Sequence, residues 1–286
     1  MRRTRDPAAW HRAAQEKTPK TWTEILDLEG PNALSLLFCE REGGYAIELG
    51  GQDGWTNSET RILKEVVGMR RIIIEGNPEW RPKRMHLSPH DVGIAAAICD
   101  SPGTLHWLWH RLISCRGIAE FMSATRLRQW YRALWQRAVD PVSGTLDWSR
   151  VNWNVVRQTT VVCMPLSAVL ERIGVDHYAF FVLDVEGAEL SVLKTIDWRR
   201  TRFDVLVIET WTQSDGPERT AAVVEAVQRY SSHAYKVLFK RYGRNVWLVR
   251  SDFVGHSCGP GLAGLGHSAM PARAWRPLDD DHDASA

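Results

Sequence analysis

The sequence predicts an α/β three-layer sandwich built on a mostly parallel sheet, and three observations carry that prediction. Short apolar runs alternate with amphipathic stretches along most of the chain. Several of the runs stop on an acid, at Glu48, Glu75, Asp184 and Glu209. The first run opens into a glycine-rich turn, Gly50-Gly51-Gln52-Asp53-Gly54. In open parallel sheets the carboxyl ends of the strands form one edge, and ligands bind along it.

The central strand is read at Phe180-Phe181-Val182-Leu183, which runs into Asp184-Val185-Glu186-Gly187 and then an apolar-periodic stretch from Ala188 to Ile196. A continuous apolar run is the mark of a strand buried on both faces. Asp184 and Glu186 then either face a ligand or cap the following helix, whose first turn favours negative charge. The first strand is placed at Tyr45 to Leu49, and a helix should start near Thr56-Asn57-Ser58-Glu59-Thr60, with Ile62, Leu63, Val66 and Val67 as its packing stripe. Glycine belongs in the turn between them, since a bare backbone admits both positive φ and a close ligand.

Arg71 to Glu75 is the second strand, and Glu75 ends it where a doubly wound fold places the carboxylate that accepts from ribose hydroxyls. Gly93 to Asp100 is read as the third, its small residues suiting either an adenine ring or tight helix packing. Val155 to Val162 resumes strand character, a helix follows over Leu166 to Ile173, and Phe203 to Glu209 is a further strand. After a helix through Val227, Tyr235 to Phe239 and Asn245 to Val249 should close the sheet as an antiparallel hairpin about residues 241–244.

Residues 104–154 are too many for a connection within such a sheet. They are read as an insertion: an added strand over Thr104 to Trp109, a helical region from Gly117 to Val139 and a loop to Asn154. Arg111, Arg116, Arg126, Arg128, Arg132 and Arg137 lie in it, either as a solvated helix face or as a site for an anionic partner. The remaining domain limits are a loose arm at 1–20, a catalytic domain at 21–254 beginning with a helix near Thr23 to Cys39, and a disordered tail at 255–286.

The chain has 286 residues, 44% hydrophobic and 24% charged, with a formal net charge of +2, which points to no polyanion partner. Fourteen tryptophans are either core knobs or the walls of a substrate cleft. The five cysteines are odd in number and show no metal spacing, so a reducing compartment is expected. No apolar run is long enough to span a bilayer and no signal core follows the basic start, so the expectation is a soluble intracellular, cytoplasmic protein.

Glu48, Asp53, Glu75, Asp184, Glu186 and Glu209 together make one sheet edge strongly acidic. That suits a hydroxyl-rich cationic ligand or a hard divalent metal. S-adenosylmethionine offers two ribose hydroxyls and a sulfonium, whereas a pyrophosphate would sit badly beside Asp53. At this point the sequence resembles the FkbM family of S-adenosylmethionine-dependent methyltransferases. The likeness rests on Ile47 to Gly54 with Asn57-Ser58, on Ile73 to Pro78, on Ala95 to Asp100, and above all on Leu183 to Leu190 with Val192-Leu193-Lys194.

The resemblance implies a class I methyltransferase (Rossmann-like) fold with a seven-stranded sheet and O-methylation of a small molecule or glycan. It places Glu48, Gly50 and Gly54 around the methionine part of the cofactor, Glu75 on the ribose, and Ala97 and Asp100 near the adenine, with Asp53 also among the cofactor-binding residues. Asp184, Glu186 and Glu209 become the catalytic acids, with Asp184 and Glu209 also the candidate ligands for Mg²⁺. His86, His90 and His106 read as surface or satisfied histidines. Two alternatives stand beside this. Nucleic acid could be the acceptor through 111–137, although Glu209 ends the strand where an RNA ribose methyltransferase needs lysine. The fold could also serve as a non-catalytic interaction module.

Overall fold

The computed structural model of the protein describes Phe38 and residues 43–56, 58–210, 216–238 and 245–253. The N-terminal arm, nearly all of the first helix, Asn57, the hairpin turn at 241–244 and the C-terminal tail lie outside these residues.

From Tyr45 the described residues run through strand β1 (Tyr45–Leu49), helix α1 (Arg61–Val67), β2 (Arg70–Glu75) and β3 (Val92–Ala95). It then leaves the sheet for β4 (Ala97–Ile98), β5 (Gly103–Leu108), β6 (Gly117–Ile118), helices α2 (Ala124–Trp130) and α3 (Arg132–Ala138), and β7 (Gln158–Met164). It returns through α4 (Leu166–Ile173), β8 (His177–Leu183), α5 (Glu189–Lys194), β9 (Arg202–Glu209), α6 (Gly216–Tyr230), β10 (Tyr235–Leu238) and β11 (Asn245–Arg250).

Seven strands form the main sheet in the order β10-β11-β9-β8-β1-β2-β3. The five from β9 to β3 are parallel, while β11 runs antiparallel to both β9 and β10. Alternation along β8 shows why the apolar run is continuous. Phe181 and Leu183 enter a core shared with α4, α5 and α6, whereas Phe180 and Val182 face Leu63 and Val67 of α1 together with Phe38. Each of these fully buried Phe and Leu side chains contributes about 2 kcal/mol by leaving water. Helices therefore cover both faces, as a three-layer sandwich requires.

The extra material differs from expectation in its limits. Instead of continuing β3, the chain bends at Ala96, whose N–H donates to the Glu75 carbonyl at 3.1 Å. Ala97 and Ile98 then pair with Cys163 and Met164. A second sheet results, ordered β4-β7-β5-β6, so the strand expected at Val155 to Val162 belongs there. The region expected as helix from Gly117 opens instead with β6 and a 3-10 turn at Ala119–Phe121 before α2 and α3. Beneath it lies a separate core of Leu108, Met122, Leu127, Tyr131 and Leu134.

The expectation of free thiols is corrected at one pair: Cys99 and Cys163 form a disulfide, with their Cα atoms 5.7 Å apart, and Cys115 is free and buried. Their strands are brought side by side by the β4–β7 pairing, a contact no local cysteine spacing could reveal. Among the described residues, no helix is long and apolar enough to cross a membrane. Because the bridge closes a loop with a sequence separation of 64, the double variant Cys99→Ser/Cys163→Ser should lose about 2–4 kcal/mol of stability. An unchanged urea midpoint, or one unmoved by reductant in the parent protein, would argue that the bond does not support the fold.

Candidate active site

The carboxyl edge of the main sheet faces the second sheet across a cleft of about 290 Å³. Its floor is set where β1 and β8 end. Gly50 has φ +89°, and a Cβ built on it would lie 1.7 Å from the Asp184 carbonyl oxygen. Main-chain bonds lace the same spot: Gly50 N–H donates to Ile74 O at 2.9 Å, and Asp184 N–H donates to Leu49 O at 3.0 Å. Only glycine admits both that conformation and that approach.

Glu75 ends β2 on this floor. Its Oε2 accepts from Gln52 N–H and its Oε1 from Asn77 N–H, each at 2.7 Å. Burial pushes its pKa up to about 7, and the nearby carboxylates of Asp184 and Glu48 push the same way; the two amides work against the rise. Gln52 is one of two non-glycine residues among those described with positive φ, at 49°. Strain in that turn thus aims an amide at Glu75.

Asp184 follows β8, and Glu209 ends β9. Together with Glu186 they bring carboxylate oxygens within 4.8 Å of one another. Asp184 meets solvent in the cleft, yet it sits deep enough that loss of solvation raises its pKa, against the hydrogen bond from Glu209. Glu209 is raised further, first by burial and then by the Asp184 charge. Two carboxyl groups this close favour sharing a proton over ionising together, and both are pushed upward, first by burial and then by neighbouring carboxylates.

The loop after Asp184 is shaped by an acid the sequence reading left without a role. Glu189 is buried, and its Oε1 accepts from Val185 N–H at 3.1 Å and from Gly187 N–H at 3.2 Å. Its other oxygen pairs with Arg219 of α6. Glu186 takes φ 56° and pairs with Arg126 Nη1 of α2 at 2.8 Å. A Cβ on Gly187 would lie 2.6 Å from Phe121 O, so the insertion packs directly on this loop.

Of the residues expected at the site, Gly50, Glu75, Ala97, Asp184 and Glu186 line the cleft, and Glu209 reaches it through Asp184. Four others are placed elsewhere. Glu48 points to the start of α1, accepting from Ser58 Oγ at 2.6 Å, Glu59 N–H at 2.8 Å and Thr60 Oγ1 at 2.5 Å. Asp53 closes its own turn, accepting from Trp55 N–H at 2.9 Å and Thr56 N–H at 2.7 Å. Burial would raise its pKa, but the bonds from Thr56 and Trp55 outweigh it and hold the carboxyl below its usual range.

Gly54 turns its carbonyl to Arg71 Nη1 at 2.7 Å, and Arg71 is itself buried and paired with Asp91 at 2.8 Å. Asp100 is exposed beyond the Cys99 bridge. Glu48, Asp53 and Gly54 thus hold the glycine-rich loop in shape without lining the cleft. Residues not singled out for the site complete its walls: Asn77, Trp107, Arg116 and Phe121.

A seven-stranded, mostly parallel sheet with an acid-lined cleft at its carboxyl edge is the build of an α/β ligand-binding domain. The sequence profile of the methyltransferase FkbM domain matches residues 49–237, and the chain belongs to that family. Among solved structures it is similar to the FkbM methyltransferase of Methylobacillus flagellatus KT at 10% identity, covering 85% of this chain and 58% of that one, with a TM-score of 0.41. A precorrin-6Y C5,15-methyltransferase from Geobacter metallireducens GS-15 is similar at 10% identity over 82% of this chain and 90% of that one, with a TM-score of 0.33. The chain thus spans little more than half the length of the Methylobacillus protein. No curated protein matches it.

Since the Gly50 approach fixes the floor, Gly50→Ala should cost about 2 kcal/mol or more, because strands β1 and β8 must part to admit the methyl. Wild-type thermal stability in that variant would show that the floor yields freely.

Proposed function

We propose that the protein is an S-adenosylmethionine-dependent methyltransferase of the class I, Rossmann-like fold, and that it methylates a hydroxyl of a small molecule or glycan. One observation carries the reading: a buried carboxylate, Glu75, is held by two backbone amides at the end of β2 beside the positive-φ Gly50 at the end of β1. Each carboxylate oxygen can accept more than one hydrogen bond, so Glu75 keeps acceptor capacity for a pair of ribose hydroxyls. Ile74, Ala97, Ile98 and Ile118 supply an apolar wall suited to a flat ring. When bound, S-adenosylmethionine supplies an electrophilic methyl group.

The chain's own part is to bind, orient and manage one proton. Glu75 positions the nucleoside, and the cleft excludes water from the reacting centre. Asp184, kept anionic while Glu209 holds the shared proton, is the acceptor for a substrate hydroxyl proton. Arg126 offsets the Glu186 charge at 2.8 Å, which leaves Asp184 as the acid assigned to the acceptor. A second reading has its own support in the closeness of the Asp184, Glu186 and Glu209 oxygens. In it, Asp184 and Glu209, both ionised with their proton given up to solvent, would hold Mg²⁺, which would lower the pKa of the acceptor hydroxyl. Magnesium-dependent turnover with magnesium-independent cofactor binding would favour this second reading.

Calorimetric titration with S-adenosylmethionine, with and without Mg²⁺, tests the class directly; saturable binding is expected, and its absence would move the weight to an interaction module. Glu75→Ala should weaken that binding by at least about 1.4 kcal/mol, or tenfold. Because Glu75 must ionise to accept from both hydroxyls, affinity should fall as pH drops below about 7, approaching a tenfold loss per unit. Glu75→Gln should flatten that profile, and a slope that survives in it would remove the ribose role. Asp184→Asn should bind S-adenosylhomocysteine within about threefold of wild type while losing at least about a hundredfold in turnover. Equal turnover would take Asp184 out of the chemistry.

A further inference from the structure

The rim of the cleft carries a feature that methyl transfer leaves unused. Between β5 and β6 the chain presents Arg111, Leu112 and Ile113 at an exposed crest, with Ile113 69% and Leu112 44% accessible. Trp130, at the end of α2, is 38% accessible and belongs to the same patch. His110 joins the two, since its Nδ1 accepts from Leu112 N–H at 3.1 Å and its ring meets the Trp130 ring at 5.6 Å. Large apolar side chains held this far into water without a partner mark a surface meant to be covered.

The charge along this segment of the chain is mostly basic. Arg116 and Arg126 are paired with Glu79 and Glu186. Arg111, Arg128 and Arg132 are exposed, and none has a carboxylate at ion-pair distance among the described residues. Glu120 is the only acid between Asp100 and Asp140, and it is engaged by His106 at 2.6 Å.

We propose that this face seats on an anionic lipid surface, with Leu112 and Ile113 entering the headgroup boundary and Arg111, Arg128 and Arg132 meeting the lipid phosphates. Exposed aliphatic side chains in an arginine-rich segment match such a surface, which rewards apolar insertion and cationic contact together. Single-stranded nucleic acid would draw on a row of stacking aromatics, whereas the patch exposes one, Trp130, beside two aliphatic side chains, and the nearby Trp109 ring is met by Arg116 at 5.3 Å and Arg157 at 5.5 Å. Ile113 and Arg116 also line the cleft, so docking brings its mouth onto the lipid layer. On the methyltransferase reading, the hydroxyl acceptor then comes from that layer.

Co-sedimentation of the full chain with phosphatidylcholine vesicles, and with the same vesicles carrying phosphatidylglycerol, tests the proposal without cofactor. Binding to the anionic vesicles alone is expected, weakening as salt rises. Leu112→Ser and the double variant Arg128→Gln/Arg132→Gln should each lose at least about tenfold in vesicle affinity. Both should keep wild-type affinity for S-adenosylhomocysteine, which also reports that they fold. Failure to sediment, equal binding to neutral vesicles, or binding to single-stranded oligonucleotide in place of vesicles would overturn it. A protein that binds S-adenosylhomocysteine but no vesicles loses only the docking face. One that binds vesicles but no S-adenosylhomocysteine keeps the face and loses the acceptor inference.

Discussion

The contact on which the site depends is the crossing of Gly50 and Asp184, where the carbonyl oxygen of one occupies the place of a side chain on the other. Because β1 pairs with both β2 and β8, closing this gap brings three strand ends to one level. Glu75 and Asp184 then face the same cavity, their main chains fixed by bonds from Gly50 to Ile74 and from Asp184 to Leu49. A wider gap would separate the Glu75 carboxylate from that of Asp184. The loss of solvation that raises both acids comes from the same closeness.

Much of this was legible because strand ends advertise themselves. A run such as Ile72-Ile73-Ile74-Glu75-Gly76 changes from apolar to acid to glycine within a few residues, and only a buried strand meeting a ligand edge asks for that order. The same signal misplaced Glu48. It lies one residue inside β1, on the face of Ala46, and that face is covered by α1. Asp53 and Gly54 look like binding residues for a similar reason, yet their bonds stay within their own loop or go to the buried Arg71.

What could not be read was long-range. Arg126 finds Glu186 across 60 positions, and Arg116 finds Glu79 across 37. No periodicity reports such pairs, so both arginines could be read only as part of a solvated face or as a site for an anionic partner. Glu189 was hidden differently, since an acid in the first turn of a helix already has an adequate local explanation. The chain's departure at Ala96 was invisible too, because Gly93 to Cys99 is uniformly apolar and would suit one continuous strand.

The second sheet enters and leaves by adjacent doors. Ala97 and Ile98 lie beside Cys163 and Met164, so the chain that departs through β4 comes back along its own exit, and a disulfide fastens the doorway. Everything between hangs from the main domain as a closed cassette that touches the floor chiefly through Phe121 and Arg126. Such an attachment divides the chain into a sheet edge that carries the acids and an outer wall fastened at one point, so a change of length between the two doors need not alter the strand order of the main sheet.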